Sequence, residues 1–173
     1  MKEIFKKFYR AIPFKKQFYS LLKLLWLPPH SVYKHLHFED TFSVVTENRT
    51  FKIRHYGYEV ENGLFWRGVE QCWEGTSLEL WKELCKESRI ILDIGANTGV
   101  YSLIAQTINP NAKVYAFEPL KQVCEKLRSN CQLNGYDIAC LEVAVSNYKW
   151  PFRIMTEKLK SICLQWNMFT LLR

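Results

Sequence analysis

Apolar positions along the chain change period several times, and each change predicts an element. Ile4, Phe5, Phe8 and Tyr9 recur at helical spacing among Lys2, Lys6, Lys7 and Arg10. That pattern predicts one or two basic amphipathic helices over residues 2–27, broken around Pro13 and ended sharply by Pro28-Pro29. Residues 42–46 and 51–55 alternate apolar and polar about the turn-like Glu47-Asn48-Arg49-Thr50, which predicts a β-hairpin. The stretch 58–75 is rich in Trp, Gly and Glu without a clear period and reads as a structured loop. Thr76 with Glu79 then reads as a capping box for a helix whose apolar face is Leu78, Trp81, Leu84 and Cys85.

Beyond residue 89 the pattern becomes α/β. Residues 90–94 (IILDI) are apolar except for Asp93, as expected of a strand buried on both faces. Residues 95–99 form a turn and 100–108 a helix. A second strand follows over 113–118, and Pro119 suits the first position of the next helix. That helix aligns Val123, Cys124, Leu127 and Cys131 and stops at Asn134-Gly135, before a third strand over 138–145. The predicted fold class is α/β: a partial doubly wound, Rossmann-like parallel sheet. It is one β-α-β-α-β half, preceded by basic N-terminal helices and a hairpin. The domain reading is a basic helical segment over 1–34, hairpin and loop over 35–75, a partial α/β domain over 76–155, and an atypical tail over 156–173.

Composition sharpens this picture. At 173 residues with 48% hydrophobic content, the chain holds one globular domain. Residues 1–34 carry 8 basic and 1 acidic side chains, and the remainder carries 16 of each, so the net charge of +7 sits on the N-terminal segment. A uniformly basic nucleic-acid domain does not have this distribution, and no nucleic-acid partner is expected. Two readings of the basic helix stand: attachment to an anionic membrane surface, or packing on the body by its aromatic stripe. The best apolar run, residues 21–27, is interrupted by Lys23 and is far shorter than the ~20 residues of a spanning helix. The six cysteines show no C-x-x-C pair and no histidine at metal spacing. They read as small core residues in a reducing, cytoplasmic compartment, with no metal site. Peripheral attachment at the inner membrane surface through residues 1–27 is the added expectation for location.

The chemistry is carried by ILDIGANTGVYSL, residues 91–103. A strand ending in an acid, then a glycine turn and a helix, builds a ligand crevice at the strand's carboxyl end. Gly95 permits a tight turn and close approach of a ligand, Gly99 lets the following helix pack closely, and the helix start offers free N–H groups. A dinucleotide fingerprint would need glycine at 95, 97 and 100, but the chain has Asn97 and Val100, and no Gly-Lys-Ser/Thr follows.

Asp93-Ile94-Gly95-Ala96-Asn97-Thr98-Gly99, then Phe117-Glu118-Pro119, Asn130, Asn134-Gly135 and Ala144-Val145-Ser146, resembles the FkbM family of class I methyltransferases in order and spacing. The resemblance spans about residues 74–147 and implies S-adenosylmethionine as cofactor. It implies Glu118 at the ribose hydroxyls, Asp93 near the methionine ammonium, and Gly95, Asn97 and Gly99 lining that end. It also implies Ala144 near the adenine and Glu74 closing over the cofactor. O-methylation of a sugar or glycolipid-like hydroxyl is the implied reaction; the methyl acceptor and the catalytic base are unassigned.

The family continues past Ser146 through further strands, with an L-D-D and a later K-I-D-x-E-G segment, and neither is present here. The expectation is therefore a methyltransferase truncated before its substrate half, with weak or no activity and a sheet edge open to self-association. A noncatalytic remnant held at a membrane by its basic N-terminus is the alternative, and a nicotinamide-dependent oxidoreductase the third.

Overall fold

The computed structural model describes residues 14–72 and 74–145. The expectations that rest on Ile4, Phe5, Phe8, Tyr9 and Pro13, on Ser146, on Cys163 and on the tail lie outside the described residues.

Helix α1 (Lys15–Leu25) stops short of the expected Pro28-Pro29 step, with Trp26 already extended, and a short helix, α2 (His30–Tyr33), begins after Pro29. Strands β1 (Thr41–Thr46) and β2 (Arg49–Arg54) pair antiparallel with Thr46 opposite Arg49. The turn is therefore two residues, tighter than the four-residue turn expected. Glu47 and Asn48 both have positive φ, 46° and 63°, the geometry that matches the twist of a hairpin.

The stretch expected to be a loop is helical: α3 (Glu59–Gln71), kinked at Gly68. Its start is fixed by Glu61, whose carboxylate reaches back to the Tyr58 amide, and its body by burial of Leu64, Phe65, Trp66 and Val69. Packing outweighs the poor helical period of this segment. Helix α4 (Gly75–Lys86) has Glu74, not Thr76, as N-cap, and Glu79 pairs with Lys82 instead of capping. Its buried face is Leu78, Lys82 and Cys85, while Leu84, off that line at helical spacing, is exposed.

Then come β3 (Ile90–Ile94), α5 (Val100–Ile108), β4 (Lys113–Phe117), α6 (Lys121–Asn134) and β5 (Ala139–Leu141). Leu120 caps α6, so Pro119 stands just before the helix and not at its first position. The three strands form a parallel sheet in the order β3-β4-β5, with Ile90 opposite Lys113 and Tyr115 opposite Ala139. β5 is shorter than the expected eight residues because β4 ends at Phe117 and leaves residues past Leu141 nothing to pair with.

Helix α5 packs on β3 and β4, α6 on β5, and the hairpin lies against α5 and α6 on the side away from the sheet. Leu103, Ile104, Ala116, Cys124 and Leu127 are fully buried in this core. It continues into an aromatic cluster in which Phe65 meets Phe38, Phe42 and Trp66 at ring separations of 4.7, 5.5 and 5.2 Å. Strand β3 does not have both faces covered: Ile91 and Asp93 are buried, Ile90 and Leu92 partly open, and Ile94 exposed. Among the described residues, β3 pairs on one side only, so it is an edge strand of the three-stranded sheet. Cys72, Cys85, Cys124 and Cys131 are buried free thiols, and Cys140 is half-buried.

Candidate cofactor site

The carboxyl ends of β3 and β4 carry the two acids of the motif. Asp93 is buried, and Ser102 donates to it through Oγ at 2.5 Å and through its backbone. Burial pushes the Asp93 carboxyl above its usual range, and the Ser102 hydrogen bonds only partly oppose this. No lysine or arginine among the described residues pairs with it.

Gly95, two residues on, has φ 82°, and the space where a side chain would stand holds no atom within 4 Å. The amides of Gly95 and Ala96 both donate to the Phe117 carbonyl, at 2.9 and 3.0 Å, which ties the turn to the end of β4. Backbone conformation therefore requires glycine here, and open space in front of it is what a close ligand needs.

Glu118 is equally buried, and both its oxygens are engaged. Oε2 accepts from the Asn97 amide at 3.0 Å and Oε1 from the Leu120 amide at 2.9 Å. Glu118 thus staples the glycine turn to the start of α6. A carboxylate has about four acceptor positions, so each oxygen keeps capacity for a further donor. Asn97 is exposed at φ 49°.

Gly99, expected to line the same end, stands at the start of α5. It is buried with φ 96°, and a Cβ there would stand 2.5 Å from Leu127 Cδ1. Its smallness admits Leu127 of α6. Glu74 lies at the α4 N-terminus beside the Tyr101 phenol, which burial and then the Glu74 charge push up to about 12. Ala144 is exposed past the end of β5.

The turn rests on a buried polar chain that the motif did not announce. Thr98 Oγ1 donates to Glu61 Oε1 at 2.7 Å, and Glu61 Oε2 accepts from the Tyr56 and Tyr58 amides at 2.8 and 3.3 Å. Burial raises the Glu61 pKa, and these donors only partly oppose the rise. Asn130 Nδ2 donates to the Thr98 carbonyl at 2.8 Å while its Oδ1 accepts from the Arg54 amide at 3.0 Å. Asn134 likewise exchanges two bonds with the Lys52 backbone. The two asparagines of the motif therefore fasten α6 to the hairpin.

Other candidate groups do not join this site. A groove of about 460 Å³ is lined by His30, Tyr33, Glu59, Arg67 and Gln71 and contains none of the motif residues. Glu47, Glu79 and Glu83 converge on the surface, but Lys86 pairs with Glu47 and Glu83 at 3.0 and 2.6 Å and Lys82 with Glu79.

No family model matches the chain. A segment is 44% identical over 41 residues to the AMB antimetabolite synthetase AmbE of Pseudomonas aeruginosa, which is 24% of this chain and 2% of that protein. Among solved structures, it is similar to a SAM-dependent methyltransferase from Agrobacterium tumefaciens, with 18% identity and a TM-score of 0.40 over 60% of this chain and 33% of that one. It is also similar to M. jannaschii TYW2 in complex with AdoMet, with 17% identity and a TM-score of 0.38 over 61% and 45%. A putative SAM-dependent methyltransferase from Streptococcus mutans gives 11% identity and a TM-score of 0.40 over 64% and 27%. The chain thus spans less than half the length of each of these proteins.

Proposed function

We propose that residues 90–145 form the S-adenosylmethionine niche of a class I methyltransferase of the FkbM type. One observation carries the reading: Asp93 is a buried carboxylate at the tip of a parallel strand, without a cation among the described residues, two positions before an open glycine. Buried charges are ordinarily paired, and a cationic ligand would meet that need. The methionine ammonium suits Asp93, and the glycine turn lets the ligand lie against backbone. A ribose diol can use the remaining acceptor positions of Glu118. Asn97 would line the methionine end, with Gly99 holding α6 in place behind it. Ala144 near the adenine and Glu74 closing over the cofactor follow from the family resemblance.

When bound, the cofactor supplies an electrophilic methyl group on a sulfonium. The chain's own contribution is to fix that group's direction and to balance the ammonium charge near it, so that an acceptor oxygen meets the methyl carbon in line. O-methylation of a sugar or glycolipid-like hydroxyl is the reaction class. A nicotinamide dinucleotide is the less favoured ligand, because Asn97 and Val100 stand where its fingerprint needs glycine.

Calorimetric titration of S-adenosylhomocysteine into the wild type and Asp93→Asn tests the reading. A lost charge-assisted bond of about 1.5–3 kcal/mol predicts roughly ten- to hundredfold weaker binding by the variant. No binding by the wild type, equal binding by both, or preferential binding of NAD would refute it.

A further inference from the structure

A surface helix ordinarily buries its apolar stripe and turns its charges to water. Helix α1 and its N-cap instead leave an apolar stripe uncovered. Phe14, Phe18, Leu21 and Leu25 follow the spacing of one helical face and are 73%, 63%, 58% and 81% exposed. Leu24 and Trp26 beside them are exposed as well. Attachment to the body is made from the other side. Lys16 pairs with Asp40 at 3.0 Å, and Lys23 donates to the Phe65 carbonyl at 2.6 Å with its ammonium 5.5 Å from the Phe65 ring. Between them Tyr19 is buried against Trp66, at 5.7 Å between rings. Tyr19, with Leu22 partly buried beside it, and the two lysines thus hold the helix on the body, and the stripe of Phe14, Phe18, Leu21 and Leu25 is presented outward.

Charge says what can cover that stripe. Residues 1–34 hold 8 basic and 1 acidic side chains, which accounts for the whole net charge of +7. Lys2, Lys6, Lys7 and Arg10 immediately precede the stripe in the chain. A second copy docked stripe to stripe would bring two such segments together, and like charges repel. An anionic lipid surface complements the charge and accepts the apolar side chains. No helix among the described residues is long and apolar enough to cross a membrane. A short helix with a one-sided apolar stripe lies in the plane of the interface instead.

We propose that α1, together with the basic segment before it, seats this protein on a bilayer surface containing anionic lipid, with Phe14, Phe18, Leu21 and Leu25 at the boundary of headgroups and acyl chains. The proposal does not rest on the cofactor niche.

The test is co-sedimentation of the full chain with vesicles of phosphatidylcholine, with and without phosphatidylserine. The comparison variant is Phe18→Ser/Leu21→Ser/Leu25→Ser, whose replaced side chains are exposed, with its melting curve taken alongside. The wild type should bind the anionic vesicles, less well as salt rises. Each apolar side chain withheld should weaken partitioning roughly tenfold, so the triple variant should bind at least about a hundredfold less with its melting curve unchanged. Equal binding by the variant, equal binding to neutral vesicles, or no vesicle binding would overturn the proposal. So would a wild-type dimer that the triple substitution converts to a monomer, which would assign the stripe to a second copy.

Discussion

Gly99→Ala separates two reasons for a glycine at the start of α5. At φ 96° any L side chain is strained, which costs about 1–2 kcal/mol. The new methyl group would also stand 2.5 Å from Leu127 Cδ1. Leu127 is fully buried and cannot swing aside freely, so overpacking adds about 1–3 kcal/mol. The expected loss is about 2–5 kcal/mol in total. Gly95→Ala is the internal control: φ is 82° but the space is open, so only the strain of about 1–2 kcal/mol applies. Urea denaturation followed by circular dichroism measures both. Leu127→Ala alone should cost about 2–5 kcal/mol through the cavity it leaves. In that background Gly99→Ala should fall to its strain cost, giving a coupling of about 1–3 kcal/mol between the two positions. Equal losses from Gly99→Ala in both backgrounds, or equal losses from Gly95→Ala and Gly99→Ala, would refute the claim that Gly99 exists to admit α6.

Further outcomes follow from the buried polar groups. His55 is buried and accepts from the Gly57 amide at Nδ1, leaving Nε2–H to donate to Asn62, and desolvation lowers its pKa from 6.5 to about 4. Its folded pKa lies below the unfolded one, so its contribution is intact above pH 6.5 and is lost as pH falls towards 4. The loss reaches about 3 kcal/mol, which denaturation at stepped pH with wild type and His55→Gln resolves. Asp93 carries the opposite sign: its carboxyl is raised, so ionisation at neutral pH disfavours the fold. Asp93→Asn should therefore leave the melting temperature equal or higher while weakening S-adenosylhomocysteine binding; a fall in both would make Asp93 a structural residue. Thr98→Val removes the hydroxyl that donates to buried Glu61 and should cost about 1.5–3 kcal/mol by denaturation. A loss under about 0.5 kcal/mol would mean that the backbone donors satisfy Glu61 alone.

The sequence by itself determined the elements whose signals are local. Helix α5 runs over 100–108 as its period requires, α6 stops at Gly135, and β3 starts and ends where the apolar run does. The places of Asp93 and Glu118 at strand ends and of Gly95 in the turn were legible because a strand end and a turn are each written in consecutive residues. What needed the tertiary structure was every relation between distant segments. Thr98 meets Glu61 across 37 residues and Glu118 closes on the Asn97 amide across 21, and no period in the chain encodes either distance. The length of β5 was set by where its neighbour ends, and the helicity of α3 by the core that buries Trp66. The same holds for α1: its amphipathic pattern was plain, but only its docking through Lys16, Tyr19 and Lys23 decided which face meets the protein. Local backbone preference acts over a few residues, whereas burial and hydrogen-bond satisfaction are settled only when the whole chain has closed around them.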